Sequence, residues 1–543
     1  MLTTLGIAWT QSPFSEGWLH GWPNPGETFA VELPALPPVN WDMASFRRWF
    51  LLSSVWLVEA SAALAAGNFV PSSIKPPPVA REFRGVWVAS VKNIDWPSQP
   101  GLTTAQQKAE LLAILDRAAQ LRFNAVLLQV RPSCDALYES KLEPWSEYLS
   151  GKMGQAPKPY YDPLSFAVEE AHRRGLELHA WLNPYRARHE SAISTPSKTH
   201  ISQTRPSLVK SYKKMLWLDP GEREVQDHVL RVVNDLVQRY DLDGIHFDDY
   251  FYPYPEKDRS GQPLPIPDWS SWKRYVDGGG KLSRDDWRRD NVNTLVRRVY
   301  AGIKARKPWV KFGISPFGIW RPGHPAQIRG LDAYAVLYSD SRRWLAEGWV
   351  DYLSPQLYWG EDKPEQSFSA LLNWWTGQNP LNRHLWPGLS ASRIGSERPP
   401  AEIIQQILQV RQRNGSDGNI QWSVRPFLEN RRGVNDALKE TYSSPALLPA
   451  SPWLDARAPS APQVAVQTDQ DGSVKVNWRP GSAESIHQWV LQHRAGHEWT
   501  TQLLPAPHSN QTLPSATRAD AVAVIAVDRF GNASPPAVAQ RAP

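Results

Sequence analysis

The chain has 543 residues, 41% of them hydrophobic and 21% charged, with 27 Trp, which suits a globular protein of roughly two to four domains and not a disordered one. A mean hydropathy of −0.47, with one apolar run near residue 50 that is far shorter than the ~20 residues of a spanning helix, argues against a membrane span. The single cysteine, Cys134, excludes an internal disulfide and a multi-cysteine metal site, and a net charge of +6 with no basic block offers nucleic acid little to bind.

Residues 43–66 have the parts of a secretory signal: Met43, then Arg47-Arg48, an apolar stretch from Trp49 to Val58, and small residues from Ala62 to Ala66. One of only four methionines stands at its start, so Met43 is expected to be the initiator and residues 1–42 an upstream over-extension. A short buried helix is the alternative. Arg47-Arg48 also fits the core of a twin-arginine signal, although Phe46 and Glu59 fit its wider pattern poorly. No cysteine follows to carry a lipid. Cleavage near Ala65 or Ala66 predicts a periplasmic or secreted protein, joined to its first domain by a Pro-rich linker over 67–80.

From Arg81 onward, eight short apolar runs alternate with helical patterns. The runs are 85–90, 125–130, 176–182, 244–248, 311–315, 352–357, 385–389 and 420–424, and the clearest helices are 104–120, 166–174, 222–240, 290–304 and 400–412. This alternation predicts an α/β fold, a (β/α)8 barrel over 81–445 with its site on the loops that follow the strands. After a linker at 446–459, residues 460–543 alternate apolar and polar positions without helical period, which predicts a small all-β sandwich. Val474-Lys-Val-Asn-Trp478 and the stretch from Ala526 to Ser534 resemble a fibronectin type III module. Asp469-Gln-Asp-Gly472 lacks the later Glu of a calcium loop and predicts a hairpin turn.

Polar side chains collect where the predicted strands end. The second run leads into Gln129, Arg131 and Asp135; the third carries His179, Trp181, Asn183, Tyr185 and Arg186; the sixth ends on Gln356, Tyr358, Trp359 and Glu361. The fourth is densest, with His246, Asp248, Asp249 and Tyr250. Alternation puts His246, Asp248 and Tyr250 on one face and Asp249 on the other, so one carboxylate should enter the barrel mouth while its neighbour turns into the wall or the loop. Glycoside cleavage needs one protonated and one ionised carboxyl group. Asp248 is the principal catalytic candidate; Glu361 is first choice for the second acid, with Asp249 and Asp135 behind it. Capping a loop, or pairing with Arg131 or Arg186, is the alternative role for the Asp pair. Trp181, Trp320 and Trp359 offer flat faces for sugar rings, and Arg131 and Arg186 could bind site acids or a substrate carboxylate. His246 is either a substrate contact or a satisfied core histidine.

No cofactor and no metal are expected. There is no HExxH helix and no GxSxG elbow, and Gly278-Gly-Gly-Lys281-Leu-Ser283 lacks the glycine spacing of a P-loop. Cys134 has no clear histidine partner and reads as inert.

Five motifs in order look familiar: Arg81-Glu-Phe-Arg84-Gly-Val-Trp87, Gln129-Val-Arg131-Pro with Asp135-Ala-Leu-Tyr138, His179-Ala-Trp181-Leu-Asn183-Pro-Tyr185-Arg186, Asp243-Gly-Ile-His246-Phe-Asp248-Asp249-Tyr250, and Ser354-Pro-Gln356-Leu-Tyr358-Trp359. Over about residues 81–440 the chain resembles the glycosyl hydrolase-like 10 family of bacterial envelope proteins. The resemblance implies a TIM-barrel glycoside hydrolase with the Asp248-Asp249 pair in a groove among Arg131, Asn183, His246, Gln356 and Tyr358. It also implies a substrate, peptidoglycan glycan strands stripped of their stem peptides, cut in the periplasm near the division site. Another polysaccharide, such as an exopolysaccharide or an α-glucan, is the alternative substrate, and a non-catalytic glycan-binding protein is the alternative class. Envelope or cell-division proteins are the partners the sandwich could take. Residues 1–42 hold four acids and no Lys or Arg, and 43–66 add a single net positive charge, so the remainder carries +9, a balance suited to an anionic wall polymer.

Overall fold

The computed structural model describes residues 69–542, and the over-extension and signal-like segment expected over 1–66 lie outside the described residues. Eight parallel strands form the core: β1 (Phe83–Val88), β2 (Ala125–Arg131), β3 (Glu177–Leu182), β4 (Gly244–Phe247), β5 (Lys311–Ile314), β6 (Tyr352–Leu353), β7 and β8 (Gly418–Gln421). Two short pieces make up β7. His384–Leu385 pairs with β6 and Gly388–Leu389 pairs with β8, so one stretch of chain joins the two ends of the sheet and closes it. Helices fill the crossovers. Thr104–Gln120 starts at a capping box made by Thr103 and Gln106, and Pro163–Arg173 starts at Asp162, whose side chain accepts from two backbone N–H groups.

Strand periodicity divides the core. Phe83, Trp87, Leu127, Trp181, Tyr352 and Ile420 point into the barrel together with Trp386, while Val86, Val126, Leu178, Ile245 and Ile314 pack beneath the helices. Trp386 stacks on Phe83 with centroids 3.6 Å apart, and Tyr352 lies 4.6 Å from Trp386. Such large rings fit only because glycines face them. A Cβ on Gly313 would stand 1.9 Å from the Tyr352 ring, and one on Gly244 would stand 2.6 Å from His179. Gly313→Ala is therefore expected to destabilise the protein by about 3 kcal/mol or more, because fully buried Tyr352 has nowhere to move. Thermal unfolding checks this, and an unchanged midpoint would contradict the packing.

The C-terminal region forms two antiparallel sheets. Gln463–Thr468, Val474–Arg479 and Asn510–Leu513 make one; Gln488–Ala495, Glu498–Pro505, Ala521–Val527 and Ala537–Arg541 make most of the other. The expected hairpin turn lies between Gln463–Thr468 and Val474–Arg479, where the Gly472 N–H donates to the Asp469 carbonyl. The stretch expected to be a linker does more than connect, because Phe69–Pro71 pairs antiparallel with Ala537–Arg541 and adds a strand to the second sheet. Barrel and C-terminal sheets meet at the N-terminal ends of the barrel strands. There Arg81 donates to the carbonyls of Leu448 and Gly531 at 2.8 and 2.7 Å, and Arg529 binds Asp241 at 2.6 Å. Among the described residues no helix is long and apolar enough to cross a membrane.

Candidate active site at the barrel mouth

Asp248 stands one residue past the end of β4, 5% exposed, with both of its oxygens engaged. One accepts from Asn183 Nδ2 and, at 3.3 Å, from Trp181 Nε1; the other accepts from the Tyr250 backbone N–H at 3.3 Å. Asn183 is itself aimed from below. Its Oδ1 accepts from Gln129 Nε2 at 2.7 Å, and Gln129 Oε1 accepts the backbone N–H groups of Ser90 and Val91. The ends of β1, β2 and β3 thus orient one carboxyl group on β4. Burial and the adjacent Asp249 charge push Asp248 up to about 7, while Arg186 and the Asn183 bond favour the ionised form.

Asp249 turns to the loop that follows β4, one of the two places open to it. Strand pairing stops at Phe247, and Asp249, two residues further on, accepts from Tyr254 Oη and faces Gln356. Burial raises its pKa, and the Tyr254 and Gln356 hydrogen bonds and Arg186 oppose the rise. Arg186 completes the group. Its Nε donates to the Pro132 carbonyl at 2.9 Å, its guanidinium lies 5.2 Å from the Tyr250 ring centroid, and its buried Nη2 has no protein partner. Tyr358, half-buried, has its hydroxyl pushed well above the usual range by burial and by the charges of Asp249 and Asp248. Trp181, Asn183, Arg186, Tyr250, Gln356 and Tyr358 therefore gather around the two acids.

Several expected site residues stand elsewhere. Arg131 is fully buried: it holds Glu143 with two bonds at 2.6 and 2.7 Å and donates to the carbonyls of Asn183 and Pro184. A register shift in β2 between Gln129 and Arg131 sets Arg131 opposite outward-facing Leu182, which removes it from the mouth. Tyr185 is fully buried in the wall, and Asp135 is fully buried in the loop after β2, accepting from the Ser133 N–H at 2.8 Å. His246 points into the barrel with no exposed surface. Its Nδ1 meets Tyr352 Oη and its Nε2 meets Ser315 Oγ, each at 3.0 Å, and burial holds it well below the usual histidine range, so it is a core histidine. Trp320 stacks on Trp374 at 5.7 Å with Arg342 5.3 Å from its ring centroid, which leaves little of the ring to a ligand. Trp359 packs edge-on against Phe317. Glu361 accepts from Ser367 Oγ at 2.5 Å and from the Ser369 N–H and Oγ at 2.8 and 3.1 Å, capping the helix Phe368–Thr376 instead of facing Asp248.

Three residues of this face escaped the sequence reading. Trp422, half-buried directly after β8, meets Trp87 and Trp181 edge-on at 6.2 and 5.9 Å; its place at a strand end is legible from the sequence. Asp95 accepts from the Ala89 N–H at 2.9 Å and from Ser423 Oγ at 2.8 Å, and burial pushes it up to about 6. Tyr254 lies too far along its loop for any period to place it. Among the described residues one set has ligand atoms close enough for a metal, Glu177, Asp243 and His487, within 4.8 Å of one another at the opposite end of the barrel. Glu177 already binds Lys311 and His179, and Asp243 binds His172.

The model of the family described as glycosyl hydrolase-like 10 matches residues 82–402. Similar curated proteins include the glycosyl hydrolase YngK of Bacillus subtilis, 40% identical over 77% of this chain and 84% of its own length, and the glycosyl hydrolase DigH of Escherichia coli K12, 35% identical over 68% and 84%. Similar solved structures include α-L-fucosidase isoenzyme 2 from Paenibacillus thiaminolyticus, with TM-score 0.44 and 13% identity over 67% of this chain and 49% of that one. Another is the PgaB (BpsB) glycoside hydrolase domain from Bordetella bronchiseptica, with TM-score 0.42 and 15% identity over 67% and 99%. By the match to the family model and by its likeness to these curated proteins, this chain belongs to the glycosyl hydrolase-like 10 family.

Proposed function

We propose that this protein is a glycoside hydrolase that cuts peptidoglycan glycan strands stripped of their stem peptides, outside the cytoplasm, during wall remodelling or division. The observation that carries the chemistry is a pair of adjacent buried carboxyl groups in unlike settings at the barrel mouth. Asp248 holds its proton near neutral pH, because burial and the Asp249 charge oppose ionisation, and it donates that proton to the leaving glycosidic oxygen. Asp249, with Tyr254 donating to it and Arg186 nearby, is the ionised partner that meets the positive charge developing at the anomeric carbon, where water forms the new C–O bond and its proton returns to Asp248. Trp422, half-buried and edge-on to Trp181, offers a ring face for a sugar to stack on. The substrate reading is supported by the family, by the signal-like segment and by the positive balance of residues 67–543. Incubation of the protein with purified sacculi, with and without prior amidase treatment, tests it. Soluble sugar should appear chiefly from the amidase-treated sacculi, and release from neither would overturn the proposal.

A further inference from the structure

A cleft of about 670 Å3 opens at the N-terminal ends of the barrel strands, the side opposite to Asp248. Trp309, from the turn that enters β5, lines its barrel side, and Glu484, Ser485 and Asp528 line the side made by the C-terminal sheets. Neither region encloses the space alone. The volume is in the range of small-ligand sites, and two of the hydrogen-bond donors around it are unmatched. Trp309 Nε1 and Arg529 Nη1 are buried without a protein partner, although Arg529 Nη2 binds Asp241 and its guanidinium lies 5.6 Å from the Trp309 ring centroid. An unmet buried donor is costly, so an oxygen atom brought there relieves a cost already present.

Around these donors stand four carboxylates, Asp241, Asp455, Glu484 and Asp528, against two arginines, Arg457 and Arg529. A phosphate or other anion would be repelled by them, an apolar chain would strip them of water, and a bare cation would meet Arg529. A compact polyhydroxylated ring suits the set, since each hydroxyl both accepts from an N–H and donates to a carboxylate, while the C–H face rests on an aromatic ring. We infer that the cleft is a second saccharide-binding site, built jointly by the barrel and the C-terminal sheets, which holds the polymer away from the mouth that cuts it. The choice of glycan strands as ligand rests on the function proposed above; the chemistry of the cleft does not.

The full-length protein carrying Asp248→Asn, which should leave the strands uncut, is mixed with peptide-stripped glycan strands and its affinity is measured by co-sedimentation. Adding Trp309→Ala should weaken binding about tenfold, the worth of one stacked ring. Ser485→Trp, an exposed change that fills the cleft without touching a core, should do the same even where Trp309→Ala disturbs folding. Unchanged affinity in both variants overturns the inference, as does binding that vanishes entirely with Trp181→Ala at the mouth. If the wild-type protein releases no sugar but Ser485→Trp still weakens binding, the hydrolase reading fails and this one stands. If sugar is released and Ser485→Trp binds as tightly as its parent, the reverse holds.

Discussion

Asp248→Asn is expected to lower turnover of peptide-stripped glycan strands by about 10³-fold, the middle of the range for loss of a general acid, with little change in KM. The amide keeps the shape that Asn183 and Trp181 hold but carries no transferable proton. Single-turnover sugar release measures the effect, and a loss smaller than tenfold would remove Asp248 from its role. The same assignment sets the direction of the pH profile. Asp248 must be protonated to act and is pushed up to about 7, so activity should hold below that value and fall as pH rises through it. The two carboxyl groups titrate as a pair, so this limb belongs to the dyad and not to one residue. Stability follows the same sign. A carboxyl group whose folded pKa lies above its unfolded one favours the native state at low pH and loses that contribution as pH rises through the folded value. Asp248→Asn should therefore raise the unfolding midpoint at pH 8 while it cuts turnover steeply, a combination that global misfolding cannot produce.

Arg131→Met should cost about 3–5 kcal/mol of stability, because it leaves Glu143 buried and short of its main partner. Against the cost of burial, Arg131 and His228 hold Glu143 down to about 2, and His228 alone, 2.8 Å away, cannot replace a two-bonded guanidinium. The double variant Arg131→Met with Glu143→Gln should recover much of the loss, since it removes the stranded charge. Urea unfolding of both variants decides the matter. A single variant within 1 kcal/mol of the parent would show that the Arg131–Glu143 pair contributes little to stability. A large loss in the single variant without recovery in the double would assign its worth to packing.

The contrast between Asp248 and Arg131 shows how far strand arithmetic reaches. Both stand at or just beyond strand ends, and both carry charges that are costly to bury without purpose. Asp248 keeps the register of His246 because β4 is paired through Phe247, one residue short of the acid. The two-residue period misplaces Arg131, since the register shift after Gln129 turns the side chain to the opposite face. Glu361 and Trp320 were misplaced for a different reason. Each follows its strand by several residues, where loop conformation decides direction, and nearby partners claimed both: Ser367 and Ser369 for the acid, Trp374 for the ring.

The barrel itself was legible because it depends on local and repeated signals. Alternating apolar runs and helix caps specify strand, helix and order, and hydrophobic burial then leaves few ways to close eight strands. The acidic centre was legible for a related reason, as two adjacent carboxyl groups at a strand end make an exception that a core does not tolerate idly. Tertiary structure alone decided which groups face them. Tyr254 reaches Asp249, Trp422 stands edge-on to Trp181, and Gln129 acts only through Asn183. It alone decided, too, that Phe69–Pro71 joins the C-terminal sheet and that Trp309 and Glu484 share a cleft. These contacts join residues far apart in the chain. Their geometry is set by how loops close over a finished barrel, and no periodicity of the sequence records that.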